Sequence, residues 1–209
     1  MSKTLSIFGA SGHGKIVLAT AKQLGYDITA FYDSNNELSN ARVHGVPVKK
    51  ELEGCDSNTN VIIAIGNNKV RQYIALQFQD VKWISLIHPR AYVDETVKIG
   101  AGSLVCAGTT IQIDASIGVH TIINTNASVD HDCVIGDFVH IAPGVNLAGN
   151  VSVDNGSMVG IGASVLPGIK IGKNSIVGAG SVVIRDVPDN TVVAGCPARH
   201  INRNDVVKV

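Results

Sequence analysis

The strongest candidates for chemistry are two histidines in separate parts of the chain. His131 lies in the segment DHDCVIG, and an imidazole can accept a proton near pH 7 because its pKa is normally close to neutrality. His13 lies in the turn GASGHG, where closely spaced glycines would let backbone N–H groups approach a phosphate. Each histidine depends on the elements that position it, and the two halves of the chain follow different patterns.

A register of aliphatic residues with a spacing of six runs through the second half of the chain. It begins at Val93 and continues without a break to Val183. The position four residues further on is mostly small or β-branched, as at Ser103, Ala115 and Cys133. A period of six fits neither a helix nor an alternating strand, so the pattern predicts a repeat architecture in which each hexad is a short strand plus a turn.

This repeat resembles the left-handed parallel β-helix of the hexapeptide-repeat acyltransferases, in which three hexads make one triangular coil of eighteen residues. The resemblance implies a little over five coils, with strands stacked about 4.7 Å apart. We therefore expect residues 90–209 to form a left-handed β-helix. Cys133 falls on a small interior position and should be a buried core thiol.

The coil length brings a second residue close to His131. Gly149 follows it by eighteen residues and should lie one coil above, about 4.7 Å away, where it leaves a gap over the imidazole and exposes a backbone N–H. A base and an oxyanion donor are what acyl transfer needs. His140 follows His131 by half a coil, so the two can meet only across a subunit boundary, which suits a homotrimer with active sites between subunits.

A zinc site is the alternative for the histidines of the repeat. The γ-class carbonic anhydrases place three histidines on the same fold, and His120 stands eleven residues before His131. The His-x4-His pair of those enzymes is absent from this chain, so we expect no metal.

The first ninety residues predict a small doubly wound sheet. Strands are expected at 5–10, 28–32, 61–65 and 83–87, with helices at about 15–24 and about 68–79. Strands that alternate with helices favour a Rossmann-like α/β domain over residues 1–89, with the boundary near Pro89.

Polar residues at the strand ends make this domain a candidate nucleotide site. Gly9, Gly12 and Gly14 form the turn after the first strand, and Asp33 follows the second, where an acid could contact a ribose or base. The glycine spacing matches neither the dinucleotide motif nor a Walker motif, so neither NAD nor an ATP γ-phosphate is favoured. A tight turn without a ligand, and a surface imidazole at His13, are the alternative interpretations.

Composition excludes several classes of partner. The 209 residues include 17 basic and 17 acidic ones, so the formal charge of zero gives no field to attract nucleic acid or an anionic membrane. The N-terminus lacks the features of a signal peptide and no stretch approaches a membrane-spanning length, so we expect a cytoplasmic protein. The four cysteines, Cys55, Cys106, Cys133 and Cys196, form no close pair.

The C-terminal region points to a cosubstrate. The stretches SVLPG at 164–168, GAGSVV at 178–183 and VVAGCPAR at 192–199 resemble the tail of hexapeptide acetyltransferases, which lines the groove for coenzyme A. Together with GASGHG, Asp33, GNN at 66–68 and DHDCVIGDFVHIAPG, they resemble over essentially the whole chain one sugar acyltransferase family. That family contains the bacillosamine-pathway acetyltransferase and the sialic acid O-acetyltransferases.

This resemblance implies a role for each candidate residue. It makes His131 the general base that takes a proton from the C4 amine of the sugar, with Asp132 standing where the family usually has a glutamate. The residues expected to contact acetyl-CoA are His140, Gly149, Ala179 and Pro197, with the N–H of Gly149 meeting the thioester carbonyl. The residues expected to contact the nucleotide sugar are Gly12, His13, Asp33, Gly66 and Asn67.

The resemblance thus predicts an acetyl-CoA-dependent N-acetyltransferase acting on the C4 amine of a nucleotide-linked 4-amino-4,6-dideoxy sugar, by direct attack on the thioester and without a metal. A UDP-sugar is favoured, and dTDP stays open because Ser34 stands where the family has a second acid. Three alternatives remain. They are an O-acetyltransferase of sialic acid or a related sugar, a nucleotidyltransferase, which should have a far larger N-terminal domain, and a silent scaffold, which His131→Ala would not affect.

Overall fold

A small α/β sheet precedes a long parallel β-helix in the computed structural model, which describes residues 3–38, 41–50 and 58–202. The N-terminal elements are β1 (Lys3–Phe8), α1 (Gly12–Gln23), β2 (Tyr26–Tyr32), a 3-10 turn (Asn36–Leu38), β3 (Arg42–Val43), β4 (Val46–Lys49), β5 (Asn60–Ile63), α2 (Asn68–Gln77) and β6 (Lys82–Trp83). The strand order is β3-β4-β2-β1-β5-β6, and all pairs are parallel except the β3–β4 hairpin. The hairpin was not predicted, and Cys55 lies outside the described residues.

The strand expected at 83–87 is instead two strands in different sheets. Lys82–Trp83 pairs with β5, whereas Leu86–Ile87 pairs with the next coil of the β-helix. The apolar run concealed this switch because both halves pack against apolar neighbours. The domain division near Pro89 stays a prediction, although the pairing of the β-helix begins before that residue.

Three sheets, which we call faces 1, 2 and 3, form the β-helix. Face 1 contains Leu86–Ile87, Leu104–Val105, Ile122–Ile123, His140–Ile141, Met158–Val159, Ile176–Val177, Val192–Ala194 and the antiparallel Arg199–His200. Face 2 contains Tyr92–Val93, Thr110–Ile111, Ser128–Val129, Asn146–Leu147, Ser164–Val165 and Val182–Val183. Face 3 contains Lys98–Ile99, Ser116–Ile117, Val134–Ile135, Ser152–Val153 and Lys170–Ile171. From Leu86 to Val183 strands pair with those eighteen residues away, as Leu104 does with Ile122, which confirms the predicted coil length. In the last coil the spacing is sixteen, since Ile176 pairs with Val192.

The interior of the prism contains the predicted aliphatic register. From Val105 to Val183 every residue of the register is buried, and Cys133 is fully buried as expected. The small polar interior residues are satisfied by the coil above, because the hydroxyl of Thr121 donates to the Gly136 carbonyl at 2.7 Å. Burial of the aliphatic side chains and these hydrogen bonds between coils together stabilise the β-helix.

The corners between faces place one residue of each hexad in the left-handed region. We call them corner 1–2, corner 2–3 and corner 3–1 after the faces that they join. From residue 102 to residue 180 every sixth residue has a positive φ, and most of these residues are Gly, Asn or Asp, which tolerate that conformation best. His120 and Phe138 are exceptions, and Asp132 is one of the regular cases.

The α/β domain packs on face 1 through a shared apolar core. Leu104 and Ile122 point outward from the prism yet are almost fully buried, because they belong to one cluster with Val17 and Leu18 of α1. The docked domain therefore holds the ends of its strands beside one side of the β-helix. No helix in the described parts of the chain is long and apolar enough to cross a membrane.

Candidate active site

His131 lies at corner 2–3, where the chain turns from face 2 to face 3. Its Nδ1 is 2.7 Å from the Oδ2 of Asp132, and both side chains are about half exposed. The backbone N–H of His131 donates to Asp130 at 2.7 Å, which holds the turn in place. Aspartate is shorter than the glutamate expected at this position, yet the Asp132 carboxylate contacts the imidazole directly. The backbone of Asp132 is left-handed, with a φ of 59°.

The carboxylate settles which ring nitrogen of His131 can act as a base. An ionised carboxylate only accepts hydrogen bonds, so Nδ1 carries the proton and Nε2 keeps its lone pair. The hydrogen bond to Asp132 raises the pKa of His131 above its usual value, and the charge of Asp130 acts in the same direction. A higher pKa makes the imidazole a stronger base towards the amine proton.

Gly149 lies directly over the Nε2 edge of His131, as the eighteen-residue spacing predicts. A Cβ on Gly149 would overlap with Nε2 and Cε1 of the imidazole, so only glycine leaves this space open. Among the described residues no carbonyl accepts the N–H of Gly149, whereas the next amide, that of Asn150, donates to His131 at 2.9 Å. The corner thus holds an open Nε2 on one coil and an amide without a backbone acceptor on the next.

Asp132→Asn should separate the electrostatic effect of the acid from its place in the turn. Asparagine keeps the left-handed backbone but removes the charge that raises the pKa of His131. Since the base must be neutral to accept a proton, the acidic limb of the pH profile of kcat/KM should move to lower pH. The plateau should fall by about tenfold or more, because the Nδ1–H tautomer is no longer favoured.

The matched control is Asp114→Asn, at the same left-handed turn position one coil earlier, where φ is 60°. This variant should keep both the limb and the plateau of the wild type. An acidic limb that stays in place in Asp132→Asn would contradict the assignment of His131 as the titrating base.

A large cleft opens at the carboxyl ends of the parallel strands in the N-terminal domain. Its volume is about 850 Å³, and its lining is mostly apolar and aromatic: Phe8, Gly9, Ser11, Tyr32, Asp33, Ser34, Asn35, Leu38, Lys50, Ile65, Val70, Tyr73, Ile74 and Phe78. This is where open α/β sheets bind ligands. The N-terminus of α1 lies at the same edge, and the side chain of Ser11 makes no capping hydrogen bond, so it leaves the first amides of the helix available.

The glycines of the first turn differ in what requires them. A Cβ on Gly9 would lie 2.7 Å from the carbonyl oxygen of Ala64, and one on Gly14 would overlap with the Gly9 carbonyl, so the fold itself excludes a side chain at both. Nothing lies within 4 Å of a Cβ on Gly12. The bare backbone at Gly12 is therefore available for close approach by a ligand.

Asp33 ties together two loops at the mouth of the cleft. Its Oδ2 accepts the N–H of Ala10 at 2.8 Å, and its Oδ1 accepts the N–H of Asn35 at 2.9 Å. Each carboxylate oxygen retains a further lone pair. The residue thus shapes the cleft and can still accept a hydrogen bond from a ribose or base.

His13, Gly66 and His140 meet where the N-terminal domain touches face 1. Nδ1 of His140 is 3.2 Å from the carbonyl oxygen of Gly66, and its Nε2 is 3.1 Å from Nδ2 of the Asn124 side chain. The rings of His13 and His140 are 6.4 Å apart, and the buried Nε2 of His13 has no protein partner among the described residues. Burial and the charge of Arg71 lower the pKa of each histidine to about 4, so both are neutral at pH 7.

Sequence reasoning missed Arg71, although it lies within this region. Asn67, an expected ligand residue, caps α2 by accepting the N–H of Val70 at 3.1 Å. Arg71 follows one turn later and is completely buried. The helical pattern did contain a signal, because Arg71 falls on the same face as Ile74 and Phe78. A charged residue on the apolar face of a helix indicates that it has buried hydrogen-bond partners.

The remaining candidates lie on other corners of the prism. Ala179 is exposed at corner 1–2, and Pro197 is exposed in the turn after Val192–Ala194, which the Ala198 N–H joins to the Val182 carbonyl at 2.8 Å. A single chain therefore does not bring Ala179 or His140 to His131. His131 lies at corner 2–3, whereas Ala179 lies at corner 1–2 and His140 lies on face 1.

His120, the residue behind the zinc alternative, lies at corner 3–1. Its ring stacks on Phe138 with centroids 5.2 Å apart and meets the edge of Trp83 at 4.8 Å. Within residues 3–38, 41–50 and 58–202, no group of three His, Cys, Asp or Glu side chains is placed to hold a metal ion.

Comparison with known proteins decides the family. The family model described as PglD N-terminal domain matches residues 4–78, and that of the bacterial transferase hexapeptide, with six repeats, matches residues 150–185. A GDP-perosamine N-acetyltransferase of Escherichia coli O157:H7 is 30% identical over 153 residues, which cover 68% of this chain and 69% of that protein. The chain belongs to the acetyl-CoA-dependent sugar N-acetyltransferases with hexapeptide repeats.

Solved structures of this N-acetyltransferase family agree in fold over almost the whole chain. PerB from Caulobacter crescentus, in complex with CoA and GDP-perosamine, has a TM-score of 0.87 at 36% identity and covers 95% of this chain and 97% of its own. The acetyltransferase domain of PglB from Neisseria gonorrhoeae, in complex with acetyl coenzyme A, has a TM-score of 0.90 at 35% identity, with 96% and 100% covered. The predicted fold class and enzyme class are confirmed.

Proposed function

We propose that this N-acetyltransferase moves the acetyl group of acetyl-CoA to the C4 amine of a nucleotide-linked 4-amino-4,6-dideoxy sugar, with His131 as general base. The observation that carries the proposal is the open Nε2 of His131, which faces the bare backbone of Gly149 while Asp132 holds the other ring nitrogen. Acetyl-CoA and nucleotide sugars are both intracellular metabolites, so the proposal includes a cytoplasmic location.

The proposed chemistry uses only groups that this corner supplies. The neutral amine attacks the thioester carbonyl, the C–N bond forms, and Nε2 of His131 takes the amine proton. The N–H of Gly149 stabilises the oxyanion of the tetrahedral intermediate. Collapse expels the CoA thiolate, to which the imidazolium returns the proton, leaving an amide and a free thiol. No covalent acyl-enzyme is needed.

The nucleotide sugar is proposed to lie in the cleft of the N-terminal domain. Its phosphates would meet the amides at the start of α1 beside Gly12. The base would pack against the aromatic lining, and Asp33 would accept a hydrogen bond from the nucleoside. The sugar would extend towards His13, whose unpartnered Nε2 is neutral and can accept a hydrogen bond.

The active site is proposed to lie between subunits of a homotrimer. His131 and Gly149 stand at corner 2–3, whereas His13 and His140 stand beyond face 2 on the other side of corner 1–2. A neighbour that brings its corner 1–2 against corner 2–3 would unite the base with a nucleotide sugar and place Ala179 along the same groove. Closed rotational symmetry generates one such groove per subunit.

The nucleotide is the first variable to test. The family resemblance favours UDP, while the relatives named for their substrate use GDP-perosamine. Thiol release from acetyl-CoA should be compared for a UDP-linked 4-amino-4,6-dideoxy sugar, the dTDP-linked sugar, GDP-perosamine and sialic acid. Release with one or more nucleotide-linked amino sugars supports the proposal, and release with sialic acid alone would move the assignment to O-acetylation.

Gly12→Val should weaken nucleotide-sugar binding without disturbing the fold. A Cβ at this position has no protein atom within 4 Å, and the valine side chain would fill the space assigned to the phosphates. We expect KM for the nucleotide sugar to rise by about tenfold to a hundredfold, at an unchanged KM for acetyl-CoA. The matched control is Ala19→Val, at an exposed position of the same helix, which should behave as the wild type. An unchanged sugar KM in Gly12→Val would place the ligand elsewhere.

Mixing two defective variants tests the location of the site. Gly12→Val retains His131, and His131→Ala retains an intact nucleotide cleft. If each site uses His131 of one subunit and the cleft of its neighbour, co-refolded or co-expressed mixtures should recover activity at about a quarter of their sites. No recovery in confirmed mixed trimers would place the whole site within one chain.

A further inference from the structure

Arg71 is the one residue of α2 that is completely buried, and its surroundings are unusual for a cation. Among the described residues no carboxylate lies within ion-pair distance of it. Burial lowers its pKa to about 9, so it remains charged at pH 7. A buried charge without a counter-ion is costly unless hydrogen bonds satisfy all of its donors, so the partners of Arg71 reveal what it is for.

The guanidinium of Arg71 joins the loop after β5 to the β-helix. Its Nη1 donates to the carbonyls of Ile65 and Gly66 at 2.9 and 3.2 Å. Its Nε donates to the His120 carbonyl at 2.7 Å, and its Nη2 donates to the Phe138 carbonyl at 3.1 Å. Nη2 also donates to the Val139 carbonyl at 3.1 Å. These three β-helix carbonyls lie at or next to corner 3–1 on two consecutive coils, and the carbonyls of Ile65 and Gly66 belong to the loop after β5.

Asn68 extends the same contact to a third coil. Its Oδ1 accepts Nη2 of Arg71 at 2.8 Å, while its Nδ2 donates to the carbonyls of Gly156 and Ser157, both at 3.0 Å. His120, Phe138 and Gly156 are eighteen residues apart in succession, so they are vertical neighbours on one corner. Arg71 and Asn68, which we call the clasp, therefore bridge three coils of the β-helix.

The clasp also controls the groups next to the sugar position. The Gly66 carbonyl that binds Arg71 is the one that contacts Nδ1 of His140. A displacement of this loop along the prism axis would therefore carry Gly66 away from His140. The apolar contacts of α2 resist such sliding poorly, since Tyr73 and Leu76 are largely exposed.

We propose that Arg71 is a positioning residue. It fixes the position of the loop after β5 along the axis of the β-helix and so aligns the acceptor sugar for acetyl transfer. This inference rests on the proposed function, because it assumes that the acceptor lies beside Gly66 and His140. Arginine is required in preference to lysine, since a planar fork can reach loop and corner carbonyls at once, whereas an ammonium is a single point of charge.

The test compares the variants Arg71→Met, Arg71→Lys and Asn68→Ala with the wild type. The matched control is Arg42→Met, since Arg42 is an exposed arginine of β3. We expect kcat/KM for the nucleotide sugar to fall by about tenfold to a hundredfold in Arg71→Met, with little recovery in Arg71→Lys and a smaller loss in Asn68→Ala. KM for acetyl-CoA should not change in any of them.

Hydrogen exchange of the segment 64–72 provides a second measurement that does not need turnover. Loss of the clasp should raise exchange in this segment in Arg71→Met and Asn68→Ala, but not in Arg42→Met. Equal sugar kinetics and equal exchange in wild type and Arg71→Met would overturn the inference. So would equal losses for both substrates, which would indicate a general structural role.

The outcomes for the proposed function are distinct. If the wild type turns over no nucleotide-linked amino sugar, the proposed function is wrong. The role of Arg71 in aligning the acceptor is then wrong as well, whatever the exchange data show. A wild type that is active, together with an Arg71→Met variant of unchanged sugar kinetics, removes only the role of the clasp.

Discussion

His131→Ala should lower kcat by about a hundredfold to ten-thousandfold, the usual contribution of a positioned general base. The variant loses the lone pair that takes the amine proton, while the fold should persist because His131 is half exposed and contributes nothing to the core. The measurement is thiol release from acetyl-CoA at saturating nucleotide sugar. The residual activity should also lose the acidic limb of its pH profile, since burial lowers the pKa of His13 and His140, the histidines proposed to lie beside the substrates, to about 4.

The control for this loss is His44→Asn. His44 is an exposed histidine in the β3–β4 turn with a φ of 47°, a conformation that asparagine adopts readily. It should retain wild-type kinetics. A His131→Ala variant with wild-type kcat would remove the general base from the mechanism.

Gly149→Ala should be nearly as damaging, for a steric reason. The added methyl group would overlap with Nε2 and Cε1 of His131 and would occupy the space of the reacting carbonyl. The imidazole must turn away, and the amide of Gly149 becomes shielded, so the base and the oxyanion donor are lost together. We expect kcat to fall by about a hundredfold to a thousandfold, as when an oxyanion donor is removed.

Stability measurements distinguish this effect from misfolding. Because Gly149 has no left-handed φ, alanine fits its backbone, and the conflict lies only with an exposed side chain that can move. The melting temperature should therefore stay close to that of the wild type. Gly25→Asn, which replaces a left-handed glycine with nothing within 4 Å of its Cβ, is the control and should be fully active. Wild-type kcat in Gly149→Ala would contradict the proposed geometry.

The contrast among the histidines explains why only one corner can supply a base. His131 is open to solvent and paired with a carboxylate, which raises its pKa. His120 and His140 are buried and His13 is partly buried, which lowers the pKa of all three, and the charge of Arg71 lowers each pKa further. Burial therefore leaves His13 and His140 as neutral hydrogen-bonding groups. This suits His13 to orienting the sugar, and His140 stays a predicted contact of acetyl-CoA.

The sequence by itself determined the β-helix and the geometry of the catalytic corner. A register of six residues between Val93 and Val183 allows only a stacked repeat, and a coil of eighteen residues makes vertical neighbours a matter of counting. The stacking of Gly149 on His131 follows from that count alone. The contact between His131 and Asp132 was also accessible, because both residues share one turn.

Only the tertiary structure decided how the two halves of the chain meet. The docking of α1 on face 1, the switch of sheets between Trp83 and Leu86, and the clasp at Arg71 all join residues far apart in sequence. Arg71 binds carbonyls 49 and 67 residues away. Backbone carbonyls are the same for every residue type, so no side-chain pattern identifies them as partners. Their positions depend on the docking of two finished domains.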